Sequence, residues 1–126
     1  MLDPAQVRDA FGSPRNVGEL PNANGVGEIG DPDRGDWVRV TLRVENERLA
    51  DIRFQCHGCD AAIGAVSVLT ELVKGKHVDE AWEVRDETVL EVLQDFPEVR
   101  QHCTSLGAAA LHEAIIDWMV RELEGG

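Results

Sequence analysis

The 126-residue chain has no run of about 18 consecutive apolar residues, and its start, Met1-Leu2-Asp3-Pro4, lacks a basic stretch leading into an apolar one. Neither a membrane-spanning helix nor a secretory leader is expected, so the reading is a cytoplasmic protein with no membrane partner. Basic residues are scarce: 12 Lys and Arg stand against 24 Asp and Glu, a formal net charge of −12. Phosphate backbones and anionic membranes are held by clustered Lys and Arg, so nucleic acid is not an expected ligand. The acid excess serves solubility or meets a protein partner with a basic patch. Cysteine is scarcer still, with three in all. An odd count without a secretion signal argues against a disulfide framework and favours reduced thiols used for metal binding or catalysis, with buried structural thiols as the plain alternative. The length and a 43% hydrophobic content suit one domain, residues 1–126, around one core.

Asp3 followed by Pro4 reads as the N-cap and first residue of a short helix that stops at Gly12. Residues 13–35 hold five of the twelve glycines and three of the five prolines. That stretch is expected to be mostly irregular, with a brief strand over 26–29, and to supply a mobile site loop. Val38, Val40, Leu42 and Val44 alternate with Arg39, Thr41, Arg43 and Glu45, the period of a strand with one buried face. A turn at 45–47 leads to a second strand through Leu49, Ile52 and Phe54, giving an antiparallel hairpin. Residues 60–74 read as a buried helix that begins at Cys59 and ends at Gly75. A short turn at 79–82, a helix over 86–94 and a long helix over 104–124 follow. On the long helix Leu106, Ala110, Ala114, Trp118 and Arg121 lie close to a helical stripe, with Leu111, Ile115 and Met119 widening it. Strands clustered early and helices gathered after them predict an α+β fold: a small antiparallel sheet of about three strands packed against helices.

All three cysteines fall in two short stretches, Cys56-His57-Gly58-Cys59 and His102-Cys103. Cys59 stands where a strand gives way to a helix, and the unpaired N–H groups of a helix start favour a thiolate there, as ligand or nucleophile. Cys56, three residues earlier, completes a C-x-x-C spacing that can chelate zinc or form a redox pair. It also shares the strand parity of Phe54, which is the pattern of a buried side chain. His102 and Cys103 can reach one metal together, or the imidazole can serve as base for the thiol. A carbonyl-bonded structural histidine is the alternative for His102, and His57, His77 and His112 read as structural. A thioredoxin-like redox site shares the C-x-x-C at a helix start, but the hairpin before it does not supply a βαβ framework and leaves His102 and Cys103 without a role.

Five stretches in order, Ser13-Pro14-Arg15-Asn16-Val17-Gly18, Gly30-Asp31-Pro32-Asp33-Arg34-Gly35-Asp36, Arg53-Phe54-Gln55-Cys56-His57-Gly58-Cys59, Leu72-Val73-Lys74-Gly75-Lys76 and Val99-Arg100-Gln101-His102-Cys103, resemble the IscU/NifU-type iron–sulfur cluster scaffold proteins. The resemblance runs from about residue 11 to 118. It implies a non-enzymatic scaffold that receives iron, and sulfur from a cysteine desulfurase, holds a transient [2Fe–2S] cluster and passes it to apo iron–sulfur proteins. The family site matches here at Asp36, Cys59, His102 and Cys103, with Cys103 at the position that accepts persulfide sulfur. Thiolates suit a cluster, and the oxygen ligand Asp36 suits its release.

Two departures from the pattern stand out. The family's first cysteine is replaced by Arg34, a permanent cation that cannot ligate metal. Cys56, where the family usually lacks cysteine, is a candidate replacement thiolate. With Cys56 turned into the core, the remaining set of Asp36, Cys59, His102 and Cys103 suits zinc, and the implied function becomes that of a zinc-binding sulfur acceptor or regulator of the desulfurase. The stretch Phe96-Pro97-Glu98-Val99-Arg100 replaces Leu-Pro-Pro-Val-Lys, which argues against recognition by the family's Hsp70-type chaperone.

Overall fold

The computed structural model describes residues 3–33, 35–96, 99 and 101–125, with residues 101–103 described by backbone alone. The element order is α1 (Pro4–Gly12), β1 (Gly25–Gly30), β2 (Trp37–Glu45), β3 (Arg48–His57), α2 (Asp60–Val73), α3 (Val78–Glu83), α4 (Asp86–Val92) and α5 (Gln101–Leu123). The strands form one antiparallel sheet in the order β1-β2-β3. Helices α2 and α5 pack on the sheet and on each other, with α1 against α2 and α4 against α5. The expected α+β layering is therefore what the chain adopts.

Local chemistry accounts for the element ends. Asp3 caps α1 in a reciprocal box, its carboxylate accepting from the Gln6 N–H while the Gln6 side chain accepts from the Asp3 N–H, each at 2.9 Å. β2 and β3 are joined by Asn46 and Glu47, both in the left-handed region at φ 53° and 63°. Two such residues make the turn whose twist matches a tight hairpin. α2 ends with Gly75 at φ 85°, a backbone conformation glycine adopts without steric cost.

The core lies between the sheet and the α2–α5 layer. Phe54, Leu42, Leu49, Ile52, Leu69, Leu111 and Ile115 are all essentially inaccessible. Two close approaches set the spacing of the layers. Gly25 and Gly27 of β1 lie so near the backbone of α5 at Ala110 and Ala114 that a Cβ at either would overlap it. Gly64 of α2 likewise leaves room for the ring of Phe11. Small residues at these points let helix and strand backbones approach one another, which is how a chain this short reaches dense packing.

Several expectations are corrected. Thr41, expected on the exposed face of β2, is buried; its Oγ1 accepts from the Leu20 N–H at 3.0 Å, because residues 16–24 cross that face of the sheet. The same stretch is irregular, as expected, yet it is tied at many points. The Arg15 N–H donates to Ser67 Oγ at 2.8 Å, and the Asn16 side chain donates to Thr70 Oγ1 at 3.0 Å and to Glu71 Oε1 at 2.8 Å. The Gly18 N–H donates to the Phe54 carbonyl at 2.8 Å, and Asn24 and Val44 exchange side-chain to backbone bonds. β3 runs through Phe54 to His57, as the strand parity of Cys56 implied, whereas α5 starts at Gln101 rather than Thr104. Met119, expected inward, is 46% exposed, while the buried face of α5 holds Ala108, Ala110, Leu111, Ala114 and Ile115.

Candidate metal and sulfur site

The register of β2 and β3 builds one end of the site. Val38 pairs with Cys56 and Trp37 with His57, so the next residues outward, Asp36 and Gly58, come side by side. A Cβ on Gly58 would stand 3.4 Å from Asp36 Oδ1 and 3.3 Å from the Ala62 methyl, so the carboxylate faces the turn between the two cysteines. The Trp37 and His57 rings lie 5.0 Å apart, and the Trp37 indole N–H donates to Glu28 Oε1 at 2.5 Å. This pair closes the sheet side of the turn. Its signal in the sequence was an aromatic residue directly after Asp36, facing a histidine inside the C-x-x-C.

Cys59 is the N-cap of α2, one residue before the helix rather than inside its first turn, and is exposed. Its carbonyl accepts from the Ile63 N–H at 3.1 Å, whereas its side chain makes no capping bond. The thiol thus stands beside helix N–H groups that carry partial positive charge. Cys56 is partly buried against the core, as its parity with Phe54 predicted. Burial pushes its thiol up from the ordinary 9.0 to about 11, with the charges of Asp36 and Cys59 adding to the effect. At neutral pH Cys56 is a protonated thiol, and ligation would release that proton.

The axis of α5 sets where its start lies. Trp118 and Ala114 pack at Gly25, and Ala110 at Gly27. β1 then continues to Gly30, opposite Trp37. Read backwards along that line, α5 carries the backbone of His102 and Cys103 toward the end that holds Asp36 and Cys59. The side chains of His102 and Cys103, and all of Arg34, Pro97, Glu98 and Arg100, lie outside the described residues. Among the described residues no three His, Cys, Asp or Glu side chains form a group able to hold a metal ion. Asp36, Cys56 and Cys59 alone are therefore an incomplete donor set.

The remaining histidines have structural partners. His112 Nε2 lies 3.1 Å from the carbonyls of both Trp82 and Val84, and its ring packs 4.7 Å from that of Trp82. His77 caps α3, its Nδ1 accepting from the Asp79 N–H at 3.0 Å, with Glu47 Oε2 3.2 Å from Nε2. No described helix is long and apolar enough to cross a membrane.

Residues 3–124 match the family described as NifU-like N terminal domain. The chain belongs to that family. It is 43% identical over 119 residues to the iron–sulfur cluster assembly scaffold protein IscU of Aquifex aeolicus, covering 93% of this chain and 76% of that one. It is 42% identical over 113 residues to IscU 1 of Archaeoglobus fulgidus, covering 90% and 74%. Against the Escherichia coli K12 IscU it is 38% identical over 117 residues, covering 90% and 91%. The fold also matches the N-terminal part of a NifU-like protein from Brucella abortus, at a TM-score of 0.70 and 17% identity, over 91% of this chain and 92% of that one.

Proposed function

We propose that this protein is an iron–sulfur cluster assembly scaffold, which takes up iron and desulfurase-derived sulfur, holds a [2Fe–2S] cluster as cargo and hands it to apoproteins. The observation that carries the reading is Asp36 facing the Gly58 turn, between partly buried Cys56 and exposed Cys59 at the N-cap of α2. Its support is membership of a family whose relatives, at 38 to 43% identity, are named as such scaffolds.

The ligand set we assign is Cys59, Cys103, Asp36 and His102, with Cys56 as the thiolate that takes over from the family cysteine replaced by Arg34. Soft sulfur donors hold the cluster, and the hard carboxylate of Asp36 is the ligand that exchanges when cargo leaves. Cys103 is assigned as sulfur acceptor: its thiolate attacks the outer sulfur of a desulfurase persulfide, forms the new S–S bond and expels the desulfurase cysteine as thiolate. The partners are a cysteine desulfurase and apo iron–sulfur proteins, and the compartment is the cytoplasm.

Anaerobic incubation with iron, L-cysteine and a cysteine desulfurase tests the reading, with absorbance and metal analysis on one sample. Visible charge-transfer bands with matching iron and sulfide are expected. One zinc per chain, no colour and retained desulfurase binding would replace the scaffold with a zinc-bound sulfur acceptor or regulator.

A further inference from the structure

The last helix carries a face that the fold itself does not use. Ile116, Met119, Val120 and Leu123 are 39%, 46%, 44% and 87% exposed. Their spacing of three and four residues puts all four on one side of α5. Scattered exposed apolar residues are ordinary, whereas four large ones aligned over two turns make a patch. Just before these turns Ala114 and Ile115 are buried, and Trp118 is half-buried against the core. One turn before Ile116, His112 is fixed against α3 and its ring meets that of partly buried Trp82, which extends the apolar surface onto α3.

Charge in this chain is segregated in a way that bears on what covers the patch. Residues 1–78 hold twelve acids and nine Lys or Arg, whereas residues 79–126 hold twelve acids and three arginines. Three-quarters of the net charge thus belongs to the part of the chain that includes the patch. Exposed Glu113 and Glu122 stand on either side of the stripe on α5, and exposed Asp79, Glu80 and Glu83 lie on α3 beside Trp82. Arg121 is the one Lys or Arg of α5, and it is paired with Asp117 at 2.9 Å.

We propose that the Ile116–Met119–Val120–Leu123 face docks a partner protein through an amphipathic helix whose apolar stripe is fringed by Lys and Arg. Such a helix buries the four side chains at matching spacing while its cations meet the acids on both flanks. A second copy of this chain would bring the same acids face to face, and anionic lipid would be repelled. Ile116 lies fifteen residues beyond Gln101, about 22 Å along the helix. A partner held there leaves the Cys59 end open, so docking is independent of the cluster reading.

The test uses the full chain and a roughly 20-residue helical peptide, long enough to sustain a helix, with Leu at i, i+3, i+4 and i+7 and Lys on both flanks. A second peptide has Glu in place of every Lys. Titration followed by fluorescence anisotropy is expected to show binding of the Lys peptide, weakened about tenfold or more as screening shortens the reach of the charges at high salt. No binding of the Glu peptide is expected. Amide shift changes should map to residues 112–124. Met119→Glu and Val120→Glu, at exposed positions and with unchanged circular dichroism, should each weaken binding by at least about tenfold. Equal binding of the two peptides, shifts confined to residues outside 112–124, or indifference to both substitutions would overturn the proposal. So would a dimer in sedimentation that Met119→Glu dissociates, because a second copy would then be the occupant.

Discussion

Trp37 and His57 face each other across β2 and β3 with their rings 5.0 Å apart, at the end of a ladder whose register brings Asp36 beside Gly58. A slip by one residue would send Cys56 to the opposite face of the sheet and separate Asp36 from the cysteine turn. The donors near Cys59 are thus placed by a hairpin rather than by a loop.

Metal and cluster retention should depend on Cys59 and Cys103 together. Cys59→Ser or Cys103→Ser is expected to abolish retention, since the loop position already lacks a thiolate and too few soft ligands remain. Unchanged iron content in Cys59→Ser after reconstitution would sink the assignment. Cys56→Ser, by contrast, should lose the cluster while keeping the fold. Normal cluster content in a slightly less stable Cys56→Ser protein would make Cys56 a packing residue only.

The thiol of Cys56 should show its environment in the metal-free protein. With its pKa pushed up to about 11, alkylation of Cys56 should be slow at neutral pH and rise about tenfold per pH unit into the alkaline range. Peptide mapping after brief iodoacetamide treatment checks this, with exposed Cys59 labelled first. Linkage gives a second readout. The folded thiol holds its proton to higher pH than the unfolded one, whose ordinary value is 9.0. Its contribution to stability is therefore intact below pH 9.0 and is lost as pH climbs through about 11. Urea midpoints for wild type and Cys56→Ala should diverge in slope only in that alkaline window.

Arg34→Cys should lengthen cluster lifetime, because it exchanges a fixed cation for a thiolate next to Gly35 and Asp36 in the chain. Cluster half-life and desulfurase affinity are measured on the same protein. Lost affinity with no gain in lifetime would assign Arg34 to partner recognition.

Gly27→Val should be among the most damaging single changes, since no Cβ fits between β1 and the α5 backbone at Ala110 and Ala114. A loss of about 3 kcal/mol or outright failure to fold is expected. Gly12→Ala, where nothing stands within 4 Å, is the control and should stay within about 0.5 kcal/mol of wild type. Equal midpoints for the two variants would contradict the close approach.

Strand alternation in residues 38–44, the Asp3-Pro4 helix start and the glycine stops were legible because each is set by neighbours in sequence. What the sequence did not disclose came from contacts distant along the chain. Thr41 looked like a solvent-facing position, yet Leu20 lies over it. Residues 15–24 looked loose from their glycines and prolines, yet Ser67, Thr70 and Glu71 of α2 hold them. Met119 fits a helical stripe as well as Ile115 does, and only the placement of β1 decides which side of α5 is covered. For the site, the parity of Cys56 with Phe54 was readable, and so was the position of Cys59 at a helix start. The approach of Asp36 to Gly58 was not, because it follows from pairing register rather than from spacing along the chain.

The segment that bridges α1 and β1 also bears on how this protein behaves in a crowded solution. A terminal strand invites foreign chains to add to it through its free N–H and C=O groups. On β3, Phe54 instead exchanges bonds with Asn16 and Gly18 of the segment, and Leu49 with Gly75 and Lys76 beyond α2. At the opposite margin the Asp117 carboxylate takes the Val26 N–H at 2.8 Å. At these points the margins are taken by the chain's own groups, which leaves less main chain free for strand-to-strand pairing. Association with other proteins is thereby left to side chains, whose identity can be selected, rather than to the main chain, which every protein shares.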